Sequence, residues 1–194
     1  MLRRYAIAVV VGAALAFAWG AAAWMSGLYE PAFRPMPGGG DLPVRIDATV
    51  PEDGTYVHPS IPDMSSMNEQ QRAIAVEACM AEHEKGPLMM LFVHREGSRP
   101  GDPQVLLRGF AIELAGTALL GAIVAAFARL GAGTGARCLL ALGIAAFAVL
   151  GTHVLLWNFL HLPAGYSVAM AFDGFMAWAA AGLACALIIR PAKA

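Results

Sequence analysis

Four stretches of the chain stay apolar for about twenty residues each: 5–25, 109–130, 138–160 and 166–189. An α-helix rises ~1.5 Å per residue and the hydrocarbon core of a bilayer is about 30 Å thick, so each stretch predicts a membrane-crossing helix. The first also has the outline of a secretory leader, with Arg3 and Arg4 before the apolar run and cleavage near Ala23 as the alternative. Its full span length favours a retained helix.

The pattern changes between spans one and two. "SGLYEPAFRPMPGGGDLP" is punctuated by Pro and Gly and reads as a linker. "VRIDATV" alternates, with Val44, Ile46, Ala48 and Val50 on one side, and predicts a half-buried strand. "PEDGTYVHPS" carries turn chemistry at Asp53-Gly54. "SMNEQQRAIAVEACMAEHEKG" predicts a helix capped by Ser66 or Asn68 and ended by Gly86, with Ala73, Val76 and Met80 on a buried stripe. "PLMMLFVH" predicts a second strand, and "REGSRPGDPQ" a second linker. The expected architecture is a mainly α membrane protein: four transmembrane helices with a small α/β domain inserted between the first and second. The boundaries are 1–25, 26–108 and 109–194. A core this small is marginal alone and calls for support from the helix ends or a partner.

Composition supports a membrane class. The chain is 58% hydrophobic and 14% charged, with mean hydropathy +0.60. A net charge of −1 gives no footprint for nucleic acid. Basic residues set an orientation: Arg3, Arg4, Arg129, Arg137, Arg190 and Lys193 fall on one side of a four-span protein, while the 26–108 segment carries twelve acids and seven bases. The positive-inside rule puts both termini in the cytoplasm and the long segment outside. The Ala-, Gly- and Arg-rich composition suits a bacterial inner membrane, with the long segment periplasmic.

Three ionisable residues fall inside spans: Glu113, His153 and Asp173. Counting along each helix puts all three in the outer third of the bilayer. Asp173 shares a helix face with Ala169, Ala177, Ala180 and Ala184, and Glu113 with Gly109, Gly116 and Thr117. Small residues mark helix–helix contacts, so both carboxyls are expected to point into the bundle. His153 is the expected partner of both acids, since an imidazolium between carboxylates offsets part of the cost of desolvation. It should stack with Trp157 and His161 at helical spacing, with Trp157, His161 and Tyr166 at the interface. The inner two thirds of spans two to four carry no ionisable group until their cytoplasmic ends, which argues against a transport path through one protomer.

Metal binding is a weaker reading. Cys79 and His83 stand four apart on one helix face, and His58, Met64 and Met67 lie nearby in sequence, as a soft-metal site for copper or zinc would require. Met also fills small cores, and two ligands do not make a site. The other cysteines, Cys138 and Cys185, lie in apolar segments, and no CxxC pair occurs. His153 and His161 lie on one helix, whereas a b-type haem takes facing histidines from two, so haem is a remote option and no cofactor is the simplest expectation. No nucleophile elbow appears, and the glycines Gly38 to Gly40 follow no strand, so they form no phosphate loop.

The anchor, the "DGTYVHP" turn, the helix running into "KGPLMMLFV", and "WNFLHLPAGY" before an Asp-bearing last helix resemble a loosely defined group of uncharacterised bacterial four-span inner-membrane proteins. The resemblance covers most of the chain. It implies no activity, only that Trp157, Tyr166 and Asp173 belong to one recurring unit. The small multidrug-resistance exporters also have four spans and a membrane Glu, but they lack a large ectodomain. The function expected is a non-enzymatic accessory, assembly or scaffold subunit that presents a periplasmic domain to a protein partner or a second copy. Metal or cofactor handling at the outer face, and a small transporter formed by oligomerisation, are the alternatives.

Overall fold

A computed structural model describes residues 1–37 and 40–190. Gly38, Gly39 and Lys193, invoked above, lie outside the described residues. The element order is α1 (Leu2–Met25), a short 3₁₀ turn (Glu30–Ala32), α2 (Asp41–Thr49), β1 (Gly54–His58), α3 (Glu69–Lys85), β2 (Met89–Val93), α4 (Pro103–Arg129), α5 (Thr134–Val149), a widened π-helical turn (Leu150–Val154), α6 (Leu155–Leu160) and α7 (Ala164–Ile188). Among the described residues, four helices are long and apolar enough to cross a membrane: Leu2–Met25, Pro103–Arg129, Thr134–Leu160 and Ala164–Ile188. The protein is a multi-pass, mainly helical membrane protein with a small α/β segment between its first and second spans. The chain divides into two compact units, Met1–Arg34 with Pro100–Ala194, and Pro35–Arg99.

In the helical unit α7 packs against α1, α4 and α5. Lipid supplies no hydrophobic drive for helix association, so close approach depends on small side chains. A Cβ at Gly12 of α1 would stand 2.9 Å from the Ala181 carbonyl of α7 and 2.8 Å from Thr117 of α4. A Cβ at Gly182 would stand 2.8 Å from the Ala141 side chain of α5. Both glycines thus mark crossings where backbones nearly touch. Ala8, Val124, Ala128, Cys185 and Ile189 form the buried core towards one end, with Tyr5 packed against it and donating from its hydroxyl to the Ala118 carbonyl at 2.9 Å.

Arg137 closes that same end. It is 2% exposed. Its guanidinium donates to the Ala186 carbonyl in the last turn of α7 (3.2 and 3.3 Å), to the Ala132 carbonyl (2.6 Å) and to Thr134 Oγ1 (3.1 Å). The last four carbonyls of a helix have no partner within it and carry partial negative charge, so a cation there stabilises the end. The sequence reading used Arg137 only as a marker of orientation; the structure makes it the C-terminal cap of α7.

The second span begins earlier than its hydropathy suggests. Asp102 caps α4, accepting from the Gln104 N–H at 2.8 Å, and Pro103 opens the first turn where its missing N–H is harmless. Pro103 and Gln104, read above as the end of a linker, and residues 105–108, placed before the span, are therefore helix.

Unit Pro35–Arg99 corrects the first strand. Residues 44–50, expected as a strand, form most of α2 and its C-cap instead. Seven alternating residues are too few to separate the two periods, and Asp41 and Pro43 both suit a first helical turn. Thr49 Oγ1 donates back to the Arg45 carbonyl. Arg95 holds the C-terminal end through the carbonyls of Asp47 (2.9 Å) and Val50, and pairs with the Asp47 carboxylate at 2.9 Å. The first strand is β1, within the stretch read as a turn. It pairs antiparallel with β2, Tyr56 opposite Leu91 and His58 opposite Met89. Asp53, just before β1, accepts from the Arg95 N–H and pairs with His94 Nδ1, both at 2.7 Å. The Arg95 N–H and then His94 hold its carboxyl below the usual range. α3 begins with a full capping box between Asn68 and Gln71 and ends at Gly86, as expected. Its stripe is not buried: Ala73, Val76 and Met80 are exposed. Two strands and one helix offer too little apolar area to cover it.

Replacing Arg137 by Met keeps the apolar stem and removes every donor. The account predicts a loss of about 2–3 kcal/mol for the uncapped buried carbonyls, read by equilibrium unfolding in mixed micelles. Unchanged stability would contradict the capping role.

Candidate functional site

Asp173 lies nine residues into α7, among small and aromatic neighbours. Its Oδ1 accepts two hydrogen bonds. Trp19 of α1 donates from Nε1 at 3.0 Å, and Tyr29 donates from its hydroxyl at 2.8 Å. Tyr29 stands just past the end of α1, where Gly27 takes a left-handed turn (φ +74°) and the 3₁₀ turn follows, and it is buried. An aromatic chain covers the site. Trp24 packs on Tyr29 and Phe33 (centroids 5.2 and 5.5 Å), and Phe33 meets Tyr166 edge-on at 5.7 Å. Trp19 meets Phe172 at 5.8 Å. Aromatic residues with a polar handle suit a place where one side is apolar and one polar.

Glu113 of α4 joins Asp173 on the wall of one cavity of about 390 Å³. The rest of the wall comes from one face of α1, residues 16–24, with Leu106 and Gly109 of α4 and Ala177 of α7. Glu113 Oε2 is sealed from solvent and takes no hydrogen bond. A buried acceptor in that state costs about 1–3 kcal/mol relative to a satisfied one.

The expected triad therefore resolves differently. Glu113 and Asp173 meet on one cavity, but among the described residues His153 forms no ion pair or hydrogen bond with either. His153 sits in the widened turn of the third span, with Nε2 3.5 Å from where a Gly174 Cβ would lie. It borders the next residue of α7, on the side facing the third span. His161 stands just past α6 with a left-handed backbone (φ 51°), so the regular helical spacing assumed for the stack with Trp157 ends at Leu160. Trp157 is exposed and Tyr166 half-buried in the aromatic chain.

The donors were missed for different reasons. Trp19 read as one more apolar residue of span one, and Tyr29 as part of a linker. The available signal was chemical: a carboxyl at this depth needs donors, and Trp and Tyr near a span end are the neutral ones at hand.

The soft-metal candidates all belong to the Pro35–Arg99 unit. Cys79 Sγ lies 3.7 Å from the Ser60 carbonyl, His83 follows one turn later on α3, and His58 ends β1, exposed. Met64 and Met67 are half-buried in the connection before α3. Among the described residues no three His, Cys, Asp or Glu side chains gather to hold a metal ion. Compared with protein-family models, curated proteins and solved structures, the chain finds no significant match.

Burial first, and then the Asp173 acceptor, push the Tyr29 hydroxyl up from 10.0 to about 12. A proton held more tightly in the folded state stabilises it fully below the unfolded value of 10.0, and that contribution is lost as pH rises towards about 12. Ultraviolet titration of tyrosinate should show a late step that is missing in Tyr29→Phe and comes earlier in Asp173→Asn. Superimposable curves would contradict the contact.

Proposed function

We propose that this membrane protein is a non-enzymatic accessory, assembly or scaffold subunit, with the helical bundle as anchor and unit Pro35–Arg99 as the part offered to a protein partner or a second copy. One observation carries the reading: of the described residues between 40 and 99, Pro59 alone is buried. Domains of this size usually bury a core or acquire one by association. Here Phe92 is 72% exposed, and the register puts it on the same sheet face as Val57 and Met90. Ile61, Ile74 and Met80 are open as well. Apolar surface of this kind marks interaction sites on soluble segments.

The orientation belongs to the same proposal. Arg3, Arg4, Arg129 and Arg190 remain exposed at the bundle end opposite Trp24, which fits cytoplasmic termini in a bacterial inner membrane and a periplasmic Pro35–Arg99 unit. The resemblance to the bacterial four-span group agrees with that placement.

Native mass spectrometry of the chain, gently extracted from its own host's membranes, tests the reading. It should show a stoichiometric companion or a second copy, and Phe92→Lys should release it while the bundle persists. A bare monomer in both forms would contradict the proposal.

A further inference from the structure

The cavity between α1, α4 and α7 has a chemistry that packing alone does not explain. Its walls are mainly apolar, with Phe17 and Trp24 contributing aromatic surface; its two ionisable side chains are both carboxyls, and the one side-chain donor on the wall, the Trp24 indole N–H, makes no hydrogen bond to either. No basic side chain lines it. The nearby neutral donors, Trp19 and Tyr29, are committed to Asp173 Oδ1. Glu113 takes no donor from the described residues; its Oε2 is sealed from solvent, which leaves Oε1 as the oxygen open to the cavity. Gly20, also on the wall, has no atom within 4 Å of where its Cβ would stand, so the space continues to the helix backbone.

An occupant must therefore bring its own donors, carry positive charge and present an apolar body. A bare metal ion fits poorly, because hard cations take six or more oxygens or several retained waters. An ammonium on an aliphatic or aromatic body fits each feature: its N–H groups satisfy carboxyl oxygens, and its charge is attracted by aromatic faces. The volume of about 390 Å³ lies within the usual range for small-molecule sites.

We propose that this cavity binds the primary ammonium group of an amphiphilic amine, its N–H donors directed to Glu113 and Asp173 and its apolar body against Phe17 and Trp24. The proposal does not depend on the accessory role or on the surface around Phe92. An ammonium of this kind has two sources, a free amine or the headgroup of phosphatidylethanolamine.

The full chain in phosphatidylcholine nanodiscs, whose headgroup has no N–H, is titrated with octylammonium by calorimetry against empty discs. One saturable site per chain is expected. Octyltrimethylammonium, which cannot donate, should bind at least tenfold more weakly. Glu113→Gln should weaken octylammonium by at least tenfold. Gly20→Leu fills the cavity, keeps both carboxyls and favours the helix, and should remove the site with the helical content unchanged. Phosphatidylethanolamine discs separate the sources: a lipid occupant competes with octylammonium and stays bound in native mass spectrometry, whereas a free-amine site keeps its affinity. The proposal is overturned if no saturable binding exceeds that of empty discs and no phosphatidylethanolamine is retained. It is equally overturned if Glu113→Gln and Gly20→Leu both bind as the wild type does.

Discussion

A carboxyl inside an apolar helix must find donors, and the bundle is arranged around that demand at Asp173. Insertion scales put a charged side chain at mid-membrane at about 2.5–3.5 kcal/mol, so an unpartnered Asp173 would weigh heavily against a single marginal fold. Trp19 and Tyr29 both donate to one of its oxygens. The contact ties α7 to α1 and also folds the chain after α1 back over the bundle, where Trp24, Phe33 and Tyr166 close around it. The donors are neutral, so the site keeps its acidic character instead of cancelling it.

The C-terminal end of α7 is held by the opposite charge. Arg137 of α5 reaches the last-turn carbonyl of Ala186, where the helix dipole favours a cation. Between these two polar anchors the contacts are tight and small, with Gly12 against Ala181 and Gly182 against Ala141. α7 is thus fixed by hydrogen bonds at Asp173, well inside the helix, and at its C-terminal turn, with close packing between them. Among the described residues three buried oxygens lack a partner, Glu113 Oε2, Thr117 Oγ1 and Ser167 Oγ, and of these only Glu113 is a carboxyl.

How much of this was legible depended on the kind of signal. Spans are set by length and hydropathy, and all four were found, although α4 starts at Pro103 because Asp102 supplies a cap that hydropathy does not register. The inward aim of Asp173 and Glu113 followed from their small helical neighbours. Their partners did not, because helix periodicity fixes a face but not which other span meets it. His153 was chosen for its charge, yet it stands in the widened turn beside Gly174 and bonds to neither acid. In the Pro35–Arg99 unit, the short alternation at 44–50 resembled a strand, while the true strand began at a glycine inside turn-forming residues. Strand identity there is decided by pairing with β2, which is not a local property.

The two units differ in how they are held. The helical unit is held by crossings and two polar anchors, whereas Pro35–Arg99 leaves its apolar side chains open. The central claim, that Asp173 holds α1 on α7 through donated hydrogen bonds, is tested most directly by a double-mutant cycle. Unfolding free energies of Trp19→Phe, Asp173→Ala and the double variant would be compared with wild type in mixed micelles. The account predicts that the double variant is less destabilised than the sum of the singles by about 0.6–1.7 kcal/mol, the range for interhelical hydrogen bonds in membranes. Additivity to within about 0.3 kcal/mol would mean that the two side chains act independently, and would contradict it.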